Sequence, residues 1–301
     1  MYLVYLDHIN QEDITLFIPK EVEIIEVGPR DGLQNEPLPI STEDKKKLIT
    51  QLVSAGITRM ETTSFVHPKW VPQMADSEEI ASFCSELGMT YIALTPNLKA
   101  LERAIAAKAP QIAVFIGASS EFNKRNINKT TAESLADCEV MFDRAKKEGI
   151  FIRAYVSMAF TCPFQKSVSF EEVRYVCDQF VQLGANEIDI GDTNGQADPK
   201  MVYERFSRLR DIYPDTTFVG HFHDTQKMAL ANVIAAMQAG ITKFDSSIGG
   251  LGGCPYSPGA TGNLATEELL NMVTRMDCKT DVNYNELMKI VPFAKSLSSK
   301  L

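Results

Sequence analysis

The sequence predicts a single closed (β/α)8 barrel on three observations. Short β-branched runs alternate with segments of helical period along all 301 residues. The joints repeat: Ala55-Gly56, Leu87-Gly88, Glu148-Gly149, Leu183-Gly184 and Ala239-Gly240 each close a helical segment just before a strand. They recur at multiples of roughly 30–35 residues, one βα unit apart, with glycine supplying the left-handed helix cap. Finally, the residues able to do chemistry collect at the C-terminal ends of the strands, where barrel enzymes keep their sites. An open doubly wound sheet is the alternative, but it calls for a glycine-rich dinucleotide turn after the first strand, and GPRDGLQNE (28–36) is not one.

The predicted strands run in order. EIIEV (23–27) leads into the amphipathic STEDKKKLITQLVSAG (41–56). RMETT (59–63), TYIAL (90–94), QIAVFIG (111–117), FIRAYVS (151–157) and NEIDIG (186–191) follow, each trailed by a helical segment. TFVGHFH (217–223) precedes QKMALANVIAAMQAG (226–240), and KFDSSI (243–248) completes the set of eight. No linker or low-complexity stretch divides the chain. It reads as one catalytic domain over 1–301, with an N-terminal extension (1–20) and a closing helix (280–301).

Composition narrows the function. Hydrophobic residues make up 45% and charged residues 23%, and the net charge is −9. That balance excludes a nucleic-acid or anionic-membrane surface but not a small anionic ligand, which needs only local positive charge. Of the six cysteines, none forms a CxxC pair, and no secretory leader or apolar span precedes them. A reducing, cytoplasmic location is expected. The C-terminal Ser299-Lys300-Leu301 matches a peroxisomal address and gives the alternative location.

Two of only four histidines, His221 and His223, stand at i and i+2 on the seventh strand, so both imidazoles face the same way. With Asp31 and Asn263 on neighbouring loops they form a plausible divalent-metal set. Arg30, beside Asp31, is planar and permanently charged, suited to a carboxylate or a developing enolate oxygen. Glu61, near the end of the second strand, needs a partner such as Arg30 if it points inward. Asp192, ending the sixth strand, reads equally as a site carboxylate or a turn residue. Cys254 lies in GGLGGCPYSPGATGN (249–263), where glycines cannot pack a core and a thiol is free for proton transfer. Cys138 and Cys177 sit in helical periodicity and read as small buried hydrophobes. Lys124, Arg125 and Lys129, in NKRNINKT (123–130), form either a subsite for a phosphate-bearing tail or a solvated charged loop.

Four stretches carry a family resemblance: EVGPRDGLQNE (26–36), ETTSFVHPKWVPQMAD (61–76), GHFHDT (220–225) and GGLGGCPYSPGATGNLATE (249–267). With them the chain, over about residues 21–290, resembles the 3-hydroxy-3-methylglutaryl-CoA lyase family. That family is related to the isopropylmalate and homocitrate synthases, which lack the loop cysteine. The resemblance implies Mg²⁺ or Mn²⁺ held by Asp31, His221, His223 and Asn263, and an acyl-CoA substrate bound through Arg30, Gln34, Asn126 and Thr193. It implies Arg30 as enolate stabiliser, Glu61 and Asp192 as supporting carboxylates, and Cys254 in proton transfer on a closing loop. His221 or Asp31 would take the hydroxyl proton. A homodimer is implied, along with a place in leucine breakdown or ketone-body formation. Asn194-Gly195-Gln196-Ala197-Asp198 and Gln226-Lys227 depart from the family pattern at the rim, which leaves a related 3-hydroxy-3-alkylglutaryl-CoA as the alternative substrate. A metal-dependent hydrolase and a non-catalytic acyl-CoA-binding barrel are the remaining readings.

Overall fold

A computed structural model describes residues 16–253 and 262–298. Eight parallel strands close a barrel: β1 (Glu23–Glu26), β2 (Arg59–Ser64), β3 (Thr90–Leu94), β4 (Gln111–Gly117), β5 (Phe151–Ser157), β6 (Glu187–Asp192), β7 (Phe218–Phe222) and β8 (Lys243–Ser246). Each strand pairs with its sequence neighbour. Closure comes from β1 against β8, in the register Glu23↔Lys243 through Glu26↔Ser246. The expected closed barrel is the fold found.

Helices α1 (Thr42–Ser54), α2 (Ser77–Glu86), α3 (Leu98–Ala106), α4 (Ser120–Ile127), α5 (Thr131–Lys147), α6 (Phe170–Gln182), α7 (Pro199–Ile212), α8 (Ala229–Gln238), α9 (Thr266–Arg275) and α10 (Tyr284–Ser296) form the outer layer. Their starts are written locally. Ser41, Asn97, Asp198 and Asn283 each accept a backbone N–H of the first turn, and Thr130 and Ser169 make full capping boxes with Glu133 and Glu172. At the far ends Gly56, Gly88, Gly149, Gly184 and Gly240 all adopt positive φ, so the repeating glycines end the helices as expected.

Two local features differ from the sequence reading. The segment 123–130 is not a loop: α4, capped by Ser119, runs to Ile127 and stops at Asn128, which takes the left-handed conformation at φ 54°. A small antiparallel hairpin, Thr161–Cys162 with Lys166–Ser167, also stands between β5 and α6. Its polar two-residue strands carry no periodicity for a pattern to find.

Apolar side chains between strands and helices make up the main core, including the ring group Phe160, Phe206 and Phe222, with centroids 6.2–6.5 Å apart. Such pairs add roughly 0.5–1.5 kcal/mol each beyond the area they bury. Cys84, Cys138, Cys162, Cys177 and Cys278 are all buried free thiols. Inside the barrel only a small apolar layer remains, Ile25, Ile92, Leu94, Ala113, Tyr155 and Val219. The rest of the axis is charged. At its N-terminal end the Arg59 guanidinium grips Glu187 with both terminal nitrogens, at 2.9 and 2.6 Å, and donates to Gln111 and Glu23. These four residues open β2, β6, β4 and β1, so the plug staples strand starts together, at the end of the barrel associated with stability.

Candidate active site

The first βα turn sets the site's floor. Glu26 ends β1, and its carboxylate accepts from the N–H groups of Gly28 (2.7 Å) and Ile248 (2.9 Å) and from the Thr266 hydroxyl (2.7 Å). A Cβ at 28 would lie 2.6 Å from Glu26 Oε1, so a larger residue there would displace the carboxylate that the Gly28 N–H binds. The chain then makes one tight turn over Gly28–Gly32, in which the N–H groups of Arg30, Asp31 and Gly32 all point at the Val27 carbonyl. That turn lifts Arg30 and Asp31 to the mouth of the barrel.

Burial pushes the Glu26 carboxyl up from 4.5 to about 7, against the pull of its three donors. An acid whose pKa is raised by folding is best tolerated while protonated. Its contribution to stability is full below 4.5 and is lost as pH rises through about 7. Glu26→Gln keeps an oxygen for the two backbone donors and gives Thr266 an N–H. It is therefore expected to remove a slope worth roughly 3 kcal/mol between pH about 5 and about 8. Urea unfolding at both pH values measures the difference; parallel curves for the two proteins count against it.

Strand alternation brings the other groups to the same place. His221 and His223 project together from β7, ring centroids 5.3 Å apart. Residues 262–264 run antiparallel beside them, joined by Asp224 N–H to the Gly262 carbonyl, Leu264 N–H to the Phe222 carbonyl and a bridge pairing His223 with Asn263. The Asn263 amide nitrogen donates to Asp31 Oδ2 at 2.8 Å and to the Leu251 carbonyl at 3.1 Å. Asp31, His221 and His223 each offer a ligand atom within 4.8 Å of the others.

The electrostatics fit a cation. Burial would raise the Asp31 carboxyl, but Arg30 and the two imidazoles outweigh it and hold the group down at about 2. Burial lowers His223 to about 4, with the His221 charge acting the same way, so this ring is neutral near pH 7. Its Nδ1 is buried and has no hydrogen-bond partner among the described residues. An orphaned imidazole nitrogen beside an ionised carboxylate is a donor awaiting a metal. His221 differs: burial lowers its pKa, yet the hydrogen bond from Nδ1 to Asp245 Oδ2 (3.0 Å) and the surrounding carboxylates carry it up to about 9. Imidazole nitrogens with carboxylate and amide oxygens suit a divalent ion of the Mg²⁺ or Mn²⁺ type.

Arg30 is 6% exposed. Its Nη1 pairs with Asp31 Oδ1 at 2.6 Å and its Nε with Glu61 Oε1. Burial works against its charge, but Glu61 and Asp31 raise its pKa further, so it stays a cation. Glu61 points into the barrel, with its second oxygen taking the Tyr155 hydroxyl.

The remaining sequence candidates are dispersed. Asp192 accepts from the N–H groups of Gln196 (3.0 Å) and Ala197 (3.2 Å), and burial pushes it up to about 6 against the pull of these donors and of the His221 charge. Thr193 Oγ1 accepts from Met158 N–H at 2.8 Å. Gln34 lies on the wall of a cavity of about 400 Å³ shared with Asn35, Lys45, Trp70 and Asp76. Asn126 sits half-buried in the last turn of α4. Arg125 stacks over Phe164 at 4.4 Å and Lys129 pairs with Asp137, so two of the three basic residues in 123–130 have local structural partners. Cys254 lies outside the described residues, as do Ser299-Lys300-Leu301. On the described side, the Gly253 carbonyl is held by Asn35 Nδ2 at 3.2 Å.

Sequence reasoning missed the groups beneath the site: Arg153, Tyr155, Asp189 and Asp245, all buried. Arg153 Nη2 donates to Asp189 Oδ2 at 2.7 Å and to Asp245 Oδ1. A signal was present. FIRAYVS places Arg153 and Tyr155 at i and i+2, and NEIDIG does the same for Glu187 and Asp189, so polar residues share the inward face of otherwise apolar strands. A second ligand-like grouping, Asp189, His221 and Asp245, also lies within 4.8 Å. The Arg153 guanidinium already bonds both of its carboxylates.

Residues 21–293 match the HMGL-like family. The chain is 45% identical over 284 residues to a hydroxymethylglutaryl-CoA lyase of Bacillus subtilis, covering 94% of each. It is 41% identical to a 3-hydroxy-3-isohexenylglutaryl-CoA/hydroxymethylglutaryl-CoA lyase of Pseudomonas aeruginosa, covering 90% of this chain and 91% of that protein. Among solved structures it resembles an HMG-CoA lyase from Acinetobacter baumannii in complex with coenzyme A and 3-methylmalate. There the TM-score is 0.86 at 34% identity, over 92% of this chain and 91% of the other.

Proposed function

The chain belongs to the HMGL-like family, and from that premise we propose divalent-metal-dependent cleavage of 3-hydroxy-3-methylglutaryl-CoA to acetyl-CoA and acetoacetate at the mouth of the barrel. The protein is an enzyme, a carbon–carbon lyase of the hydroxymethylglutaryl-CoA kind. One observation carries the placement of the site: Asp31, His221 and His223 converge within 4.8 Å, with Arg30 bonded to Asp31 beside them.

Asp31, His221, His223 and Asn263 would hold Mg²⁺ or Mn²⁺, which when bound supplies a Lewis acid for the substrate's C3 hydroxyl and terminal carboxylate oxygens. Asn263 is held at the site by its amide nitrogen, which donates to Asp31 Oδ2. The C3 hydroxyl proton passes to Asp31, because His221 would spend its one lone pair on the cation and its Nδ1 proton on Asp245. The C2–C3 bond breaks, leaving acetoacetate and the enolate of acetyl-CoA. Charge grows on the thioester oxygen, where the Arg30 guanidinium is held from two sides by Glu61 and Asp31 and cannot swing away. Glu61 is itself fixed from its other oxygen by Tyr155. Gln34, Asn126 and Thr193 are assigned to the acyl-CoA, and Asp192, with Glu61, to the site as a supporting carboxylate. Cys254 is assigned to protonating C2 on the strength of its sequence motif. A cytoplasmic homodimer is the expected form, with peroxisomal targeting by Ser299-Lys300-Leu301 as the alternative.

The test is a coupled assay for both products. Mg²⁺-loaded protein is expected to release acetyl-CoA and acetoacetate in equal amounts; chelation abolishes turnover and added Mg²⁺ restores it. A second reading, cleavage of a longer 3-hydroxy-3-alkylglutaryl-CoA, is favoured by the Pseudomonas relative. It replaces the first if only the longer homologue is cleaved.

A further inference from the structure

We propose that Asp245 is a positioning residue for the metal site, fixing His221 in the tautomer that carries its proton on Nδ1 and turns Nε2 to the cation. The proposal rests on the metal reading given above. A neutral imidazole has one lone pair. If the cation takes it, the other nitrogen carries a proton and needs an acceptor, and that partner sets ring orientation and donor strength. His221 has such a partner. His221 Nδ1 lies 3.0 Å from Asp245 Oδ2, whereas the buried Nδ1 of His223, with no partner among the described residues, is the atom left to face the cation.

The backbone builds this contact. Asp245 and His221 are direct partners in the parallel register of β8 and β7, so their inward side chains leave the sheet side by side. Asp245 cannot turn away, because its Oδ1 accepts from Arg153 Nη2. The Tyr155 hydroxyl stands 3.4 Å from Oδ2, and the Tyr155 ring meets the His221 ring edge-on, centroids 6.2 Å apart at 87°. The carboxylate also closes a circuit beneath the site. Asp31 bonds Arg30, Arg30 bonds Glu61, Glu61 bonds Tyr155, and Tyr155 reaches Asp245, which bonds His221. Two proposed ligands, one following β1 and one on β7, are thus braced by one chain of polar contacts. Asp189 provides the internal comparison. It bonds the same Arg153 nitrogen yet has no hydrogen bond to His221 among the described residues.

The experiment measures Mn²⁺ affinity by electron paramagnetic resonance for wild type, Asp245→Asn, Asp189→Asn and His221→Ala, alongside thermal melting. Asp245→Asn is expected to bind Mn²⁺ about 10–100-fold more weakly and Asp189→Asn within about threefold of wild type. If Asp245→Asn binds as wild type does while His221→Ala loses the metal, the proposal is overturned and the metal site stands. Equal losses in the two Asp→Asn variants would also overturn it, because Asp245 would then act only through Arg153. A His221→Ala protein that keeps wild-type affinity overturns the metal reading itself. Should Asp245→Asn fail to fold, ¹⁵N-histidine NMR of the Mg²⁺-loaded wild type decides. The His221 proton is expected on Nδ1, and a proton on Nε2 refutes the proposal.

Discussion

Arg30→Lys is expected to lower kcat by about 10²–10³-fold at saturating Mg²⁺, the scale set by loss of one preorganised donor to a developing oxyanion. The substitution keeps the positive charge, so it tests geometry. Arginine meets two carboxylates along two different edges of one plane, Nε to Glu61 and Nη1 to Asp31. Its Nη2 makes no hydrogen bond among the described residues. A lysine ammonium is a single point on a flexible stem and cannot bridge both partners while offering a donor to substrate. Glu61, fully buried, is then left with only Tyr155, and its charge is poorly compensated. Steady-state kinetics at saturating Mg²⁺ should show the loss in kcat. A kcat within about threefold of wild type would remove Arg30 from the role of enolate stabiliser.

His223→Ala should weaken Mn²⁺ binding by more than the roughly 100-fold that loss of an outer partner can cost, since a donor atom itself is removed. The ring is neutral by virtue of its burial and of the His221 charge, so its removal leaves no uncompensated ion, and the fold is expected to survive. The space vacated beside Asp31 admits a small ligand, and added imidazole should restore part of the affinity. Calorimetric titration with Mn²⁺, with and without imidazole, measures both effects. Unchanged affinity in the variant would show that the cation is held without this nitrogen, and the ligand set would have to be redrawn.

The two substitutions address parts of the site that differed in how plainly the sequence announced them. The histidine pair was legible because a strand has a period of two and its end in a barrel has a known direction, so spacing alone faced both rings into the mouth. The capping residues and the glycines after each helix were legible for the same local reason. The α4 segment was not, because its eight residues are polar and its cap, Ser119, stands outside the stretch whose charges drew attention. Asp192 sits where a barrel keeps its catalytic groups; what position did not show is that N–H groups four and five residues on fix its carboxylate.

The amino-acid sequence by itself determined the closed barrel, the order of its units and the identity of the residues at its mouth, because periodicity, caps and strand ends are properties of short stretches of chain. Only the tertiary structure decided which charges answer one another. Asp245 is 24 residues from His221, Asp189 is 36 from Arg153, and Tyr155 is 94 from Glu61. Such pairs exist only because closing the sheet brings distant strands into register around one axis. In that confined, buried space a charge needs a partner, and the geometry of closure, rather than any local pattern, selects which one.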